Sequence, residues 1–517
     1  MTRTPYLPPE PLPGEDWYAD DPALARFLAR RLSPEMWKAT KPRLERLGTV
    51  APREVDPLAK VADARPPRLV ANEIVLDASY RKLQALAREH RVFTHAWHGG
   101  NRLTSFALGY LYAQAECGYF CPACMTDGAA YVLRRHAPQL NGDVARLVQD
   151  DDRGAYEGAM FLTEHAGGSD VGASGTLATP GADGSWRLTG DKWFCSNANA
   201  EIVLTLAHMP DAPPGTRGLG LFLVRGEAEG LRRVTLKEKL GVRSMATAEC
   251  ELRDCAAELI AGEGEGFRAM AEMVNLSRLY NAVASVAIAR RALREGQKNG
   301  AWRSAFGKSL KEHALYAQAV AALAVDVRGA LLFVLDTADA FDRAAAGADA
   351  ALLRGLTPLA KAETARLAVR AASAACELLG GNGYTQPWVT ERLLRDAQVL
   401  PIWEGTTNVQ ALDFLRTCAK DGSAGAIASD SLARLPLDSP LVPRWRAWAD
   451  EMQGVGEAGA LRMLTRGYHL RCATLLATEE EAPFAEAYRV KNVEMDERAF
   501  EALAREQGNA LCGWPTL

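Results

Sequence analysis

Two short segments carry residue types that suit a flat, phosphorylated ligand. Phe161-Leu162-Thr163-Glu164-His165-Ala166-Gly167-Gly168-Ser169-Asp170 reads as a strand end running into a glycine turn. Backbone N–H groups bare of side chains can cradle an anion there, and Ser169 adds a hydroxyl. Further on, Lys192-Trp193-Phe194-Cys195-Ser196-Asn197 sets aromatic rings beside a small hydroxyl at a strand end. That arrangement offers a heterocycle a stacking face and one hydrogen bond. Either segment alone also fits an ordinary turn or an ordinary core strand. Cys121 and Cys124 in CPAC have the spacing of a redox or half-zinc motif, but no second C-x-x-C and no H-x-x-x-H completes a set. They are expected to be buried or helix-end thiols. His95 and His98 in HAWHGG could share a helical face, a pair expected to serve packing and surface hydrogen bonding, and no metal site is expected.

Downstream come Arg303-Ser304-Ala305-Phe306-Gly307-Lys308, then Leu379-Gly380-Gly381-Asn382-Gly383-Tyr384, then Ile402-Trp403-Glu404-Gly405-Thr406-Thr407-Asn408. Taken together, the segments resemble the acyl-CoA dehydrogenase superfamily. FLTEHAGGSD stands for the family's T-E-x-x-x-G-S-D, TGDKWFCSN for its G-x-K-x-x-I-T-N, and KEKLGVRSMAT for its K-x-x-K-L-G-x-R-x-S; RSAFGK, LLGGNGY and WEGTTNVQ follow. These six motifs stand in the family's order over residues 159–416. The proline-rich start, the CPACMT segment and the extra helical C-terminus make the chain most similar to the AidB branch, the alkylation-response flavoproteins.

The resemblance implies an FAD enzyme with an N-terminal helical domain, a middle β domain and a C-terminal four-helix domain. FAD would lie between the last two and be completed by a neighbouring subunit, so a homotetramer is expected. Position by position, it places Thr163 at the flavin pyrimidine ring, Gly168 and Ser169 at the phosphate region, and Phe194 and Ser196 at the flavin, with Ser196 near N5. Members of the family usually carry Trp at the position of Phe194 and Thr at that of Ser196; Phe still stacks and Ser still donates. Arg303 and Phe306 would reach the partner subunit's FAD, Arg303 through charge-assisted bonds to pyrophosphate. Gly381 falls in the same cofactor-binding set, and Thr406 and Asn408 would lie at the adenosine end. Glu377 stands where many relatives have Gln, and a carboxylate facing a pyrophosphate would repel it. It must turn toward an arginine, or FAD binds more weakly.

The implied reaction is α,β-dehydrogenation of an acyl-CoA thioester, which needs a base for the weakly acidic α-proton and an acceptor for the β-hydride. Glu404 is the expected base, since desolvation makes a carboxylate more basic. A subset of the family puts its base on the helix holding Asn275 to Arg278, but this chain has Ser277 there. Arg278 is a candidate charge near the base, the alternative being a surface helix arginine. Trp403, a bulky neighbour of the base, is expected near the substrate. A flavin oxidase and an AidB-like flavoprotein that binds DNA with weak dehydrogenase activity are the competing readings, and electron-transfer flavoprotein is the implied acceptor.

The elements that must position these residues change texture along the chain. Residues 1–75 read as an arm with helical patterns near 22–32 and 35–47, and 76–158 as a helical domain. Residues 159–266 alternate in short runs, including Ile202–Ala207 and Gly220–Val224, and predict a central all-β, barrel-like domain. Residues 267–418 predict a helical bundle. After a Gly/Ser/Ala-rich link at Asp421–Asp430, residues 419–517 predict further helices near 441–453, 456–478 and 483–507. The fold class is therefore mainly α with a central β domain.

Of 517 residues, 48% are hydrophobic and 24% charged, which suits a packed globular protein. Lys plus Arg is 60 against 64 Asp plus Glu, a net charge of −4 that gives no basic excess for nucleic acid or anionic membranes. From Thr417 onward 11 basic residues face 15 acidic ones, 11 − 15 = −4, so DNA binding is disfavoured even though Arg444, Arg446, Arg462, Arg466 and Arg471 could gather on one face. The start Met1–Pro13 lacks the apolar core of a secretory signal, so a cytoplasmic location is expected. The apolar stretch Ala314–Leu335 is interrupted by Asp326 and Arg328 and reads as a buried helix rather than a membrane span. Ten scattered cysteines are expected to be reduced core thiols.

Overall fold

The computed structural model describes residues 15–515 except Asp183 and Glu480, so the proline-rich start lies outside the described residues. The chain forms two compact units, one of Glu54–Gly100 and Glu116–Tyr280, the other of Met1–Arg53, Asn101–Ala115 and Asn281–Leu517.

The first unit holds the sheet. A small hairpin of β1 (Arg68–Val70) and β2 (Glu73–Val75) turns through Ala71 and Asn72, both at positive φ. That turn geometry matches the twist of paired strands. Seven longer-range strands follow: β3 (Gly158–Phe161), β4 (Leu177–Pro180), β5 (Trp186–Ser196), β6 (Ile202–His208), β7 (Leu219–Arg225), β8 (Leu231–Leu236) and β9 (Thr247–Ala261). They run in the order β3-β6-β4-β5-β9-β7, with β8 on β9, and β7 returns to pair with β6 along its length. This return closes the sheet into the barrel-like form the alternating runs predicted.

The two-residue period of a strand explains the layers. Ile202, Leu204 and Leu206 of β6 and Leu219, Leu221 and Leu223 of β7 join a core with Met125, Leu133 and Leu147, which lie on the helices Phe120–His136 and Asn141–Leu147. The intervening Val203, Ala207, Phe222 and Val224 share a second core with Phe161, Leu188, Cys195 and Leu252. Buried on both faces, β6 and β7 read as nearly continuous apolar runs.

The second unit is helical. Arg102–Ala113 is buried at every position, as expected of a helix surrounded by others. The second half of Gly266–Trp302 belongs here, followed by Ala314–Ala345, Ala350–Leu379, Val389–Ala397 and Thr407–Asp421. Ala314–Ala345 is long and apolar enough to cross a membrane, but 72% of its most apolar window is buried within the protein, which makes it a core helix. A two-residue hairpin, β10 (Ser304–Ala305) and β11 (Lys308–Ser309), follows Trp302.

Two expectations for the C-terminal region are corrected. Asp421–Asp430 is not a link: Gly422, at φ +69°, ends one helix and Ser423–Arg434 forms the next. Its small residues serve close packing, because a Cβ at Gly355 would come within 2.8 Å of both Ser423 and Ile427. The helix predicted over 483–507 is broken into Phe484–Tyr488, a wide turn at Arg489–Glu494, and Glu497–Cys512. Lys491 and Asn492 are drawn to Asp326, Met495 takes φ +56°, and Asp496 caps the new helix by accepting from the Ala499 N–H at 3.0 Å.

Candidate active site

In the barrel unit, β5 carries Phe194 and Ser196 to its C-terminal end. Phe194 is 56% exposed although Cys195 beside it is fully buried, so the ring faces outward from a strand anchored in the core. Ser196 shares a hydrogen bond with Thr247 of β9 at 3.2 Å. The Thr163 segment is tied to the same strand, its carbonyl accepting the Trp193 N–H at 2.8 Å. Gly168 packs on Thr163 so closely that a Cβ would come within 2.6 Å of its hydroxyl oxygen, whereas Ser169 is exposed. Thr163, Gly168, Ser169, Phe194 and Ser196 thus come together on one edge of the barrel.

Beneath that edge lies an ion pair that the motif reading passed over. Lys192 Nζ donates to Glu164 Oε1 at 2.7 Å, with both side chains almost wholly buried. Glu164 also accepts from the Ser174 and Thr176 hydroxyls and the Gly175 N–H. Burial raises the Glu164 pKa, but the Lys192 ammonium and these hydroxyls outweigh it and hold the carboxyl down at about 2. Lys237 sits over the Trp193 ring, Nζ 3.2 Å from its centroid, and pairs with Glu249. Lys239 donates to Thr247 at 3.0 Å. Glu164 and Lys192 stand inside the quoted motifs, so their sequence signal was present; only their pairing was not.

Arg278 also belongs to this unit. It is 8% exposed and donates to Asn275 at 3.1 Å, which excludes a surface helix arginine. Ser277, at the alternative base position, is buried and accepts from the Cys124 thiol at 3.3 Å. All ten cysteines are free thiols. His95 is buried in a short 3-10 turn, and His98 meets the Val148 carbonyl at 2.8 Å and Asp150. Among the described residues, no group of acidic, His and Cys side chains could hold a metal ion.

In the helical unit, Trp403, Glu404, Thr406 and Asn408 lead into the Thr407–Asp421 helix. Glu404 takes φ +58° and Gly405 φ +94°, a left-handed turn that a non-glycine residue holds only when its surroundings fix it. Two buried side chains fix it: Lys361 donates to the Gly405 carbonyl at 2.6 Å, and Gln410 donates to the Glu404 carbonyl at 2.8 Å. Thr406 occupies the helix N-cap, is exposed, and makes no side-chain cap bond, while Asn408 is exposed on the first turn. Those free N-terminal amides suit an anion or a polar ligand edge. Trp403 is half-buried, and its indole Nε1 is buried without a hydrogen-bond partner among the described residues.

Arg303 precedes the β10–β11 hairpin, whose tip, Phe306 and Gly307, lies at φ +52° and +81°. Phe306 is 97% exposed. Glu377 is exposed near the end of the Ala350–Leu379 helix and makes no ion pair among the described residues, so it does not turn to an arginine within this chain. Gly381 is exposed in the turn that follows, with open space where a side chain would be.

An outward aromatic ring with a neighbouring hydroxyl and a bare anion-binding turn fits a flat, phosphorylated cofactor such as FAD. With a glutamate in a strained loop of the helical unit, the chain carries residue types suited to a cofactor-dependent enzyme built on a barrel and a helical bundle. Comparison with known proteins specifies which kind. Residues 159–255 match the acyl-CoA dehydrogenase middle domain, 264–418 the acyl-CoA dehydrogenase C-terminal domain, and 8–153 the adaptive response protein AidB N-terminal domain. Acyl-CoA dehydrogenase family member 11 of Caenorhabditis elegans is 33% identical over 77% of this chain and 70% of its own length. The AidB protein of Escherichia coli (strain K12) is 30% identical over 84% of both. The crystal structure of Caenorhabditis elegans ACDH-11 in complex with C11-CoA superposes with a TM-score of 0.87 at 27% identity, covering 98% of this chain and 96% of that one. The chain belongs to the acyl-CoA dehydrogenase family, FAD-dependent oxidoreductases acting on CH–CH bonds, and carries the AidB type of N-terminal domain.

Proposed function

We propose that the protein desaturates an acyl-CoA thioester between Cα and Cβ with Glu404 as the base. The observation that carries this reading is the backbone of Glu404, held at φ +58° by Lys361 and Gln410. A strained turn fixed by two buried side chains holds the backbone from which the carboxylate projects, which favours a positioned base. Bound FAD supplies the acceptor for the hydride that leaves Cβ. Phe194 would offer its ring system a stacking face, Ser196 and Thr163 would donate to it, and Gly168 and Ser169 would hold its phosphates. Arg303 and Phe306 serve the cofactor of a second copy, consistent with a ring that is 97% exposed in the single chain. Gly381, Thr406 and Asn408 serve the far end of the cofactor; Glu377, exposed and without an ion pair among the described residues, weakens its hold.

We read the assembly as a cytoplasmic homotetramer, a dimer of dimers, that passes electrons to electron-transfer flavoprotein. Trp403 narrows the acyl pocket, and a selective range of thioesters follows. Replacing it with Leu should widen that range; an unchanged range would place the indole away from the acyl chain. The decisive experiment is anaerobic titration of the purified flavoprotein with a panel of thioesters that includes C11-CoA, the ligand of the Caenorhabditis elegans structure. Glu404→Gln should keep the yellow colour and lose about 10²- to 10⁴-fold in bleaching rate. Undiminished bleaching in that variant would remove Glu404 as the base.

A further inference from the structure

The helices after residue 418 lie beyond the C-terminal domain match, and their last residues reach back to the helix turn that precedes the hairpin carrying Phe306. Gly513, at φ +55°, ends the Glu497–Cys512 helix in the left-handed conformation, and Trp514 follows. The Trp514 ring stacks on Tyr316 with centroids 6.4 Å apart and planes 25° apart. Both rings cover Gly300, where a Cβ would come within 2.7 Å of Tyr316 and 2.8 Å of Trp514. The Tyr316 hydroxyl donates to the Gly296 carbonyl at 2.7 Å and accepts from Asn299 at 3.2 Å. Asn299 also donates to the Leu378 carbonyl at 3.0 Å, next to Glu377. Gln297 donates to the Cys512 carbonyl, and the Cys512 thiol to that of Ala317.

Residues 296–300 form the last turns before the hairpin, and they are tied to it directly. The Arg303 N–H donates to the Asn299 carbonyl at 2.9 Å, and the Ser309 hydroxyl to the Gly300 carbonyl at 2.8 Å. The Leu310 N–H closes the hairpin base on the Arg303 carbonyl at 2.8 Å. From the other side, His313 meets the Ala305 carbonyl at 3.0 Å and packs edge-on against Phe306. A hairpin of two residues per strand is too short to hold its own geometry in water. Its direction is therefore set at its base, and the base is braced by Cys512, Trp514 and Tyr316.

We infer that Trp514, acting through Tyr316, is a positioning residue for the Arg303–Phe306 hairpin, and that the extra C-terminal helices exist in part to deliver this brace. The inference rests on the reading that Arg303 and Phe306 bind the FAD of a second copy. Fixing the hairpin before FAD arrives lowers the ordering cost of binding. The test uses the full-length chain, stripped of flavin and titrated with FAD by fluorescence, with assembly followed by light scattering and unfolding by heat. Trp514→Ala should weaken FAD binding about tenfold while Trp514→Phe, which keeps a stacking ring, retains it. Tyr316→Phe keeps the ring but cuts its tie to Gly296 and Asn299, and should weaken FAD severalfold even where Trp514→Ala does not fold. Arg303→Ala is the control on the underlying reading. If Arg303→Ala weakens FAD and both Trp514→Ala and Tyr316→Phe only lower the melting temperature, the brace is wrong and the cofactor reading stands. If Arg303→Ala leaves FAD affinity unchanged, the cofactor reading falls and takes the brace with it.

Discussion

The barrel edge around Phe194 and the helix face around Arg471 treat their conspicuous residues in opposite ways. At the edge, a buried ion pair of Glu164 and Lys192 supports an aromatic ring that is 56% exposed and an exposed Ser169. In the C-terminal helices, Arg471 is fully buried. Two of its nitrogens reach Asp336, at 2.6 and 3.1 Å, and its third meets Ser431 at 2.8 Å and Asp430 at 2.5 Å. Arg434 adds a contact to Asp336 at 3.1 Å. Arg462 and Arg466 both pair with Glu451 on the surface. The first region keeps its aromatic ring and hydroxyl outward, and the second turns Arg434, Arg462, Arg466 and Arg471 to carboxylates of its own unit. A count of basic residues says little about binding until their partners are known.

Substitutions can break that contrast. The largest effect is expected from Arg471→Leu, which leaves Asp336 buried without its main partner and should cost about 3–5 kcal/mol of stability. It should leave the flavin spectrum of the folded fraction unchanged; a shifted spectrum with an unchanged melting temperature would reverse the roles assigned to the two regions.

Acid should act next, through the ion pairs. Glu164, and Glu15, which accepts from Arg294 at 2.8 Å, are both held at about 2 against an ordinary 4.5. Burial raises Glu15 as it does Glu164, but Lys298 and Arg294 bring it down. Between those values the unfolded chain binds protons that the folded one does not, so stability is fully present above pH 4.5 and falls as pH drops toward 2. Urea midpoints should show this slope, and Glu164→Gln should flatten it while lowering the midpoint at neutral pH. A slope identical to that of the parent would remove Glu164 from the acid response.

Phe194→Ala should do the reverse of Arg471→Leu. An exposed ring contributes little to folding, within about 0.5 kcal/mol, but its loss should weaken FAD by about 0.5–1.5 kcal/mol of stacking. FAD titration and thermal melting of the same variant separate the two. The smallest effect belongs to Arg462→Ala with Arg466→Ala, whose exposed, solvent-screened pairs with Glu451 should leave the melting temperature almost unchanged. Duplex DNA binding by the parent should be weak at physiological salt and indifferent to this change; tight binding with a steep salt slope that the double variant abolishes would show a basic patch at work.

The motif spacings made the site residues nameable because local chain geometry fixes them. Thr163, Gly168 and Ser169 fall in one turn and Phe194 and Ser196 on one strand face whatever the rest of the molecule does. Composition misled where small residues were concerned: Gly, Ser and Ala at Asp421–Asp430 read as a link, whereas Ser423 and Ile427 need to be there so that a helix can lie on Gly355. Periodicity likewise ran a single helix through 483–507, because it could not register the pull of Asp326 on Lys491 and Asn492.

The sequence by itself determined the order of helical, β and helical segments, the presence of short strands at β6 and β7, and the motif residues proposed to bind a flavin and take a proton. Those depend on periods of 2 and 3.6 residues and on motifs a few residues long, all readable within a window. Tertiary structure alone decided that Arg471 is a core residue, that β7 closes on β6, that Lys361 holds the turn at Glu404, and that Trp514 braces Gly300. Asp336 and Arg471 are 135 residues apart in the chain. Whether a charge is solvated or paired is settled by whichever distant group packing brings to it, and the free energy of an ion pair depends on that burial rather than on the neighbours it has in sequence.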